Sequence, residues 1–202
     1  MIKVNRNLLV CLLTAMSVFS AVGQTYIWQQ KADFVGGERY DPFWFTINGM
    51  AYVGTGIETV GPSQPVIYKT DFWEFDPNLN IWTQKADFPG SGRYGARGFA
   101  VDGIGYAGTG WTPTATSTFY KYEPGTNSWS PISSFLGSAR YTGTSFELGG
   151  KGYLGLGYAP CKNDFWAYDP VSDSWSQIAS YPGSPRQAAS TFTIGSKAYV
   201  GL

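Results

Sequence analysis

The chain contains no histidine among its 202 residues. Histidine titrates nearest neutral pH and is the commonest metal ligand. Its absence closes Ser-His-Asp and Cys-His catalysis to these residues, together with zinc, copper or iron sites built on imidazole. Acid–base chemistry is left to carboxylates, Arg, Lys or Tyr, and no cofactor is implied. Cysteine is scarce: only Cys11 and Cys161 occur. Neither sign of charge dominates, with 14 Lys and Arg against 14 Asp and Glu. No basic patch stands out, so a nucleic-acid partner is not expected.

Long apolar runs are missing with one exception. Lys3 and Arg6 give a basic start, Leu8 to Phe19 is apolar but shorter than the roughly 20 residues that span a bilayer, and small residues lead to Ala21, Val22 and Gly23. This pattern reads as a secretory signal peptide over residues 1–23. Cys11 lies inside the apolar run rather than at its end, which argues against a lipid anchor. The mature chain is then expected to start near Gln24 and to be exported, to a periplasmic, cell-surface or extracellular place. It would carry 12 basic and 14 acidic residues and Cys161 alone, so no intrachain disulfide forms. No second apolar run is long enough to span a membrane.

What the sequence has in abundance is repetition. DFWEFDPNLNIW from Asp71 returns as DFWAYDPVSDSW from Asp164, with a looser copy, TFYKYEPGTNSW, from Thr118. Trp28, Trp82, Trp129 and Trp175 are spaced 54, 47 and 46 apart, and so are Arg39, Arg93, Arg140 and Arg186. The extra length of the first unit falls in one loop: 14 residues separate Gly56 from Asp71, against 7 between Gly110 and Thr118 and 6 between Gly157 and Asp164. A fixed period of this kind marks a repeat architecture.

Each unit reads as four short strands. The first runs from the arginine, as in ERYDPFWFTI or GRYGARGFAV. It ends at a hairpin dipeptide such as Asn48-Gly49 or Asp102-Gly103, residues that tolerate the positive φ of tight turns. The second strand is MAYVGTG, IGYAGTG, KGYLGLG or KAYVGL. The third is the aromatic-acidic segment, and a turn headed by Pro77, Pro124 or Pro170 leads to the fourth, opened by the tryptophan. No window beyond residue 23 carries a helical period. Four short antiparallel strands per period describe one blade of a β-propeller.

These residues resemble kelch repeats: glycines close the second strand, the third is aromatic and acidic, and a tryptophan stands six residues after Asp76, Glu123 or Asp169. The resemblance covers residues 26–202. It departs in writing the usual adjacent glycine pair as Gly-Thr-Gly or Gly-Leu-Gly. It implies an all-β propeller with blades at about 37–88, 91–134 and 138–180, a partial blade at 184–202, and 26–32 as a closing strand. The count of one strand, three full blades and two strands leads us to expect the N-terminal part of a six- or seven-bladed ring.

Of the 14 acids, Asp33, Asp71, Asp76, Asp87, Glu123, Asp164 and Asp169 recur with the repeat and read as turn caps and hydrogen-bond acceptors. The four periodic arginines read as framework, bonding loop carbonyls. Arg97 is different: Phe43, Thr144 and Ala189 are taken as its equivalents, which singles it out as a ligand-binding candidate. Trp111 and Tyr158 occupy matching positions directly after the glycine motif, on the variable loops where function tends to sit. They are the other two candidates, suited to stacking on sugar rings or anchoring a protein.

The expectation is therefore an exported, non-enzymatic kelch-type propeller that binds a protein or glycan. Galactose-oxidase-like copper chemistry would require imidazole ligands that these residues lack. The alternative is a carbohydrate-active enzyme resembling the kelch-type sialic-acid mutarotases, which would need only carboxylate and arginine. A structural spacer in a larger surface protein is a third reading.

Overall fold

The computed structural model describes residues 28–59 and 65–201. The expected signal peptide and residues 26–27 lie outside them. The chain divides into two compact units, Met1–Gln30 and Lys31–Leu202. Of the first only residues 28–30 are described, and they carry no strand.

The second unit is all β among the described residues. Strands β1 (Phe43–Ile47) and β2 (Met50–Gly54) are followed by a small hairpin, β3 (Ile57–Thr59) and β4 (Val66–Tyr68), then by β5 (Phe72–Asp76) and β6 (Ile81–Lys85). The first sheet has the antiparallel order β1-β2-β5-β6, so the surplus loop of the first unit holds the hairpin. The second blade is β7 (Arg97–Val101), β8 (Ile104–Gly108), β9 (Phe119–Glu123) and β10 (Ser128–Ile132). The third is β11 (Thr144–Leu148), β12 (Lys151–Gly155), β13 (Phe165–Asp169) and β14 (Ser174–Ile178). A two-stranded sheet follows, β15 (Ser190–Ile194) with β16 (Lys197–Gly201). Inner strand packs on inner strand in series: β1 on β7, β7 on β11, β11 on β15.

The first strands begin four residues later than the sequence pattern suggests. Asp41, Gly95, Thr142 and Ala188 hold φ of +54°, +66°, +49° and +55° at one repeat position, a left-handed conformation that breaks an extended strand. These residues also link the blades. Gly95 N donates to Asp41 O at 2.9 Å, Thr142 N to Gly95 O at 2.8 Å, and Ala188 N to Thr142 O at 2.8 Å. A chain of backbone hydrogen bonds thus runs around the inner rim.

The Gly-x-Gly motif has a geometric cause. Its middle residues, Thr55, Thr109 and Leu156, are left-handed. The glycines after them, Gly56, Gly110 and Gly157, hold φ near +100°, a conformation costly for any residue with a Cβ. In that pose each donates its N–H to the arginine carbonyl of the next blade, Arg93, Arg140 or Arg186, at 2.8 Å.

The core lies between blades rather than within one. Phe43, Phe45, Tyr52, Phe72, Phe88 and Tyr122 form one buried cluster between the first two blades, and Phe99, Tyr106, Phe119, Phe135, Tyr168 and Trp175 form the next. Edge-to-face contacts recur, as between Phe72 and Tyr122 at 4.8 Å and Phe119 and Trp175 at 5.1 Å, the arrangement that aromatic quadrupoles favour.

The periodic tryptophans add a polar tie. The indoles of Trp82, Trp129 and Trp175 donate to the carbonyls of Ala32, Ala86 and Ser133 at 3.2, 3.0 and 3.1 Å. Two residues earlier, Asn80, Asn127 and Asp173 accept from the N–H of those same three residues at 2.8–2.9 Å. Each blade therefore grips both polar groups of one peptide residue in the preceding repeat.

Candidate functional site

The four periodic arginines are bound into the framework. Arg39, Arg93 and Arg140 donate through Nη1 to the carbonyls of Thr55, Thr109 and Leu156 at 2.9–3.0 Å. Each guanidinium also lies 4.8–5.0 Å from an aromatic centroid: Phe34, Phe88, Phe135 and, for Arg186, Tyr181. Those rings belong to the segment just before each arginine, and the cation–π contact joins the two.

Most carboxylates are likewise engaged. Asp76 and Asp169 accept turn N–H groups through Oδ1, at 2.8 Å from Asn78 and 2.9 Å from Val171. Asp71 and Asp164 make two-pronged pairs with Arg39 and Arg140. Burial works to raise both carboxyls, but bonds from the arginine and from Trp73 or Trp166, with the guanidinium charge, overcome it and hold both below the ordinary value.

Arg97 ties three blades together. Its Nε donates to Gly143 O at 2.6 Å, and its Nη1 to Ala96 O at 2.8 Å and to Asp41 Oδ1 at 3.0 Å. The strand registers place Phe43, Thr144 and Ser190 level with it, opposite Gly54, Gly155 and Gly201. Ser190 thus replaces Ala189 as the fourth equivalent.

Trp111 and Tyr158 are brought into one aromatic arc. Tyr141 lies between them, 5.2 Å from Trp111 and 5.5 Å from Tyr158, and Tyr94 follows at 5.5 Å from Tyr141, with Tyr68 stacked 6.1 Å from Tyr94. Isolated bridges pair Tyr94 with Trp111 and Tyr141 with Tyr158. Tyr158 is 42% exposed. Burial, with the neighbouring phenols of Tyr141 and Tyr68, raises Tyr94 above its ordinary value, so it remains a neutral phenol.

At the inner rim Tyr141 of the arc comes near Asp41, the partner of Arg97. A Cβ on Gly95 would lie 3.0 Å from Tyr141 Cβ and 3.1 Å from Asp41 Oδ2, so the Arg97–Asp41 pair sits beside the base of the arc. Below it opens a groove of about 730 Å3 between the inner strands, lined by Asp41, Arg97, Thr144, Ser145, Thr191 and the exposed Trp44, among others. That volume is in the range of small-molecule sites, which combine apolar walls with few polar groups.

Sequence reasoning missed Asp41, Tyr94 and Tyr141. Asp41 stands where the next repeat has Gly95, a charged exception that was open to notice. The two tyrosines were absorbed into the recurring Arg-Tyr pair and read as framework.

Blades of four antiparallel strands, packed face to face around an inner rim, define a kelch-like β-propeller. The solved structure titled "Structure of YjhT" matches with a TM-score of 0.68 at 16% identity, over 82% of this chain and 59% of that one. No family model matches the chain, and no curated protein does. At that identity the likeness shows the fold alone, and the chain spans 59% of the length of the structure it matches. One expectation is corrected here. The likeness to that structure leaves the non-enzymatic expectation without support. Catalysis without histidine remains open to carboxylate and arginine, the pair that Asp41 and Arg97 supply.

Proposed function

We propose that this chain belongs to an exported, carbohydrate-active propeller that takes an acidic sugar at the aromatic mouth of its groove. The observation that carries the reading is the place of Tyr141, the centre of the arc that includes Trp111 and Tyr158, beside Asp41 of the Arg97–Asp41 pair. The C–H faces of a pyranose pack on the negative faces of aromatic rings. Arg97 has bonds from Nε and Nη1 and none from Nη2 among the described residues, which leaves a donor for a sugar carboxylate.

The activity that fits this pair is interconversion of sugar anomers, as the resemblance to the kelch-type sialic-acid mutarotases supports. Opening a hemiketal ring needs a group to take the anomeric hydroxyl proton and a route to return one to the ring oxygen. Asp41 is the carboxylate beside Arg97 for the first task. Exchange spectroscopy by NMR on a sialic acid tests the reading: added protein raises the rate of anomer exchange, and Asp41→Asn lowers that rate with binding retained. An exchange rate unchanged by the protein removes the catalytic part. Absence of saturation transfer to the sugar removes the site.

A further inference from the structure

The second blade departs from its neighbours at one buried charge. In the first, Arg39 meets Asp71 at 2.6 Å (Nη1–Oδ1) and 2.7 Å (Nη2–Oδ2), and in the third Arg140 meets Asp164 at 2.6 and 2.8 Å. Trp73 and Trp166 donate to the same carboxylates at 2.6 and 2.7 Å. In the second blade the acid is replaced by Thr118 and the tryptophan by Tyr120. Arg93 is 3% exposed. It bonds Thr109 O and Thr118 Oγ1 through Nη1 at 3.0 Å each and Ser91 O through Nε at 3.3 Å. It makes no ion pair among the described residues, which include every Asp and Glu of the chain. Burial accordingly lowers its guanidinium to about 10.

Two donors are left over. Neither Arg93 Nη2 nor Tyr120 Oη has a hydrogen-bond partner among the described residues, and Nη2 is the atom that holds the second carboxylate oxygen in the other blades. They lie near one another, on one side of Gly90. A Cβ on Gly90 would stand 3.4 Å from Tyr120 Oη and 3.5 Å from Arg93 Nη2, with no other atom beyond its chain neighbours within 4 Å. Two unused donors, each within about 3.5 Å of one point beside Gly90 and one of them on a guanidinium that is 3% exposed, suit a small anion.

We propose that the second blade binds a small inorganic anion, chloride in ordinary salt, between Arg93 Nη2 and Tyr120 Oη, in the place of the carboxylate its neighbours carry. Such an ion neutralises a charge that is costly to bury alone, and because it binds only the folded chain it raises stability by mass action.

The test is thermal melting of the full chain at constant ionic strength, with sodium chloride replacing sodium gluconate, whose anion is much larger than chloride. The wild-type chain should show a saturable rise of about 2–4 °C. Thr118→Asp, which supplies the missing carboxylate, should melt higher in gluconate and lose the chloride response. Tyr120→Phe, which removes one donor, should shift the chloride midpoint to higher concentration. Equal wild-type melting in both salts overturns the proposal, as does an unchanged response in Thr118→Asp or an unchanged midpoint in Tyr120→Phe.

Discussion

The indole of Trp129 donates to the carbonyl of Ala86 at 3.0 Å, across the boundary between two blades. Asn127 Oδ1 accepts from the N–H of the same alanine at 2.9 Å, and Tyr122 Oη donates to that oxygen at 2.9 Å. Shape alone would have allowed phenylalanine at the periodic position. The indole N–H gives a reason for tryptophan, since it satisfies a peptide group that the end of a strand leaves unpaired.

Trp129→Phe keeps an aromatic ring and removes the donor, so it should lower unfolding free energy by about 1 kcal/mol. Asn127→Ala strands both the Ala86 N–H and the Tyr122 hydroxyl and should cost about 1–3 kcal/mol. Urea unfolding of each variant checks the pair. An Asn127→Ala chain as stable as the wild type would show that the tie carries no energy.

The Arg140–Asp164 pair makes stability acid-sensitive. The Asp164 carboxyl is held below its ordinary 3.8 in the folded chain. Its contribution is therefore present above that value and is lost as pH falls from there through the folded pKa. Asp164→Asn, which leaves a buried guanidinium unpaired, should cost about 3–5 kcal/mol at neutral pH and flatten the acid limb of the melting curve. An unchanged acid limb in the variant would assign the acid sensitivity to other carboxylates.

At the other extreme, burial and then the nearby Glu74 carboxylate push the Tyr122 hydroxyl up to about 12. The stability this represents is full below the ordinary value of 10 and drains away as pH climbs from 10 towards 12. Melting temperatures from pH 9 to 12 should fall with rising pH, and the fall should be shallower in Tyr122→Phe. Parallel curves would contradict it.

A close contact between blades gives a sharper test of packing. A Cβ on Gly152 would overlap the Phe99 ring. Gly152→Ala should destabilise by about 1–3 kcal/mol, and adding Phe99→Leu should recover part of that loss, because the two residues share one space. Strictly additive effects in the double variant would mean the contact is not where the cost arises.

The blade framework was readable because both signals are side-chain periodicities. Trp82, Trp129 and Trp175 mark the repeat, and Arg39, Arg93 and Arg140 confirm it. Their partners were not readable. Ala32, Ala86 and Ser133 take part through backbone groups, which leave no trace in residue type. The late start of β1 was hidden for a similar reason: among Asp41, Gly95, Thr142 and Ala188 only the glycine announces a left-handed backbone. At the mouth, Trp111 and Tyr158 stood out by their place after the glycine motif. Tyr141, which connects them, did not, because its recurrence after arginine disguised it as scaffold. The non-enzymatic expectation leaned on missing histidine, and a carboxylate–arginine pair such as Asp41 with Arg97, contributed by separate blades, has no linear signature.

The central claim is that the aromatic mouth and the Arg97–Asp41 pair form one sugar site. Saturation-transfer NMR with a sialic acid, on the wild-type chain and on Trp111→Ala and Tyr158→Ala, tests it most directly. The account predicts transfer to the ring protons of the sugar in the wild type and at least a fivefold weaker affinity, about 1 kcal/mol, in each variant, with Tyr158→Ala, whose residue is 42% exposed, still melting cooperatively. Transfer of equal strength in wild type and both variants, or none in the wild type, would contradict it.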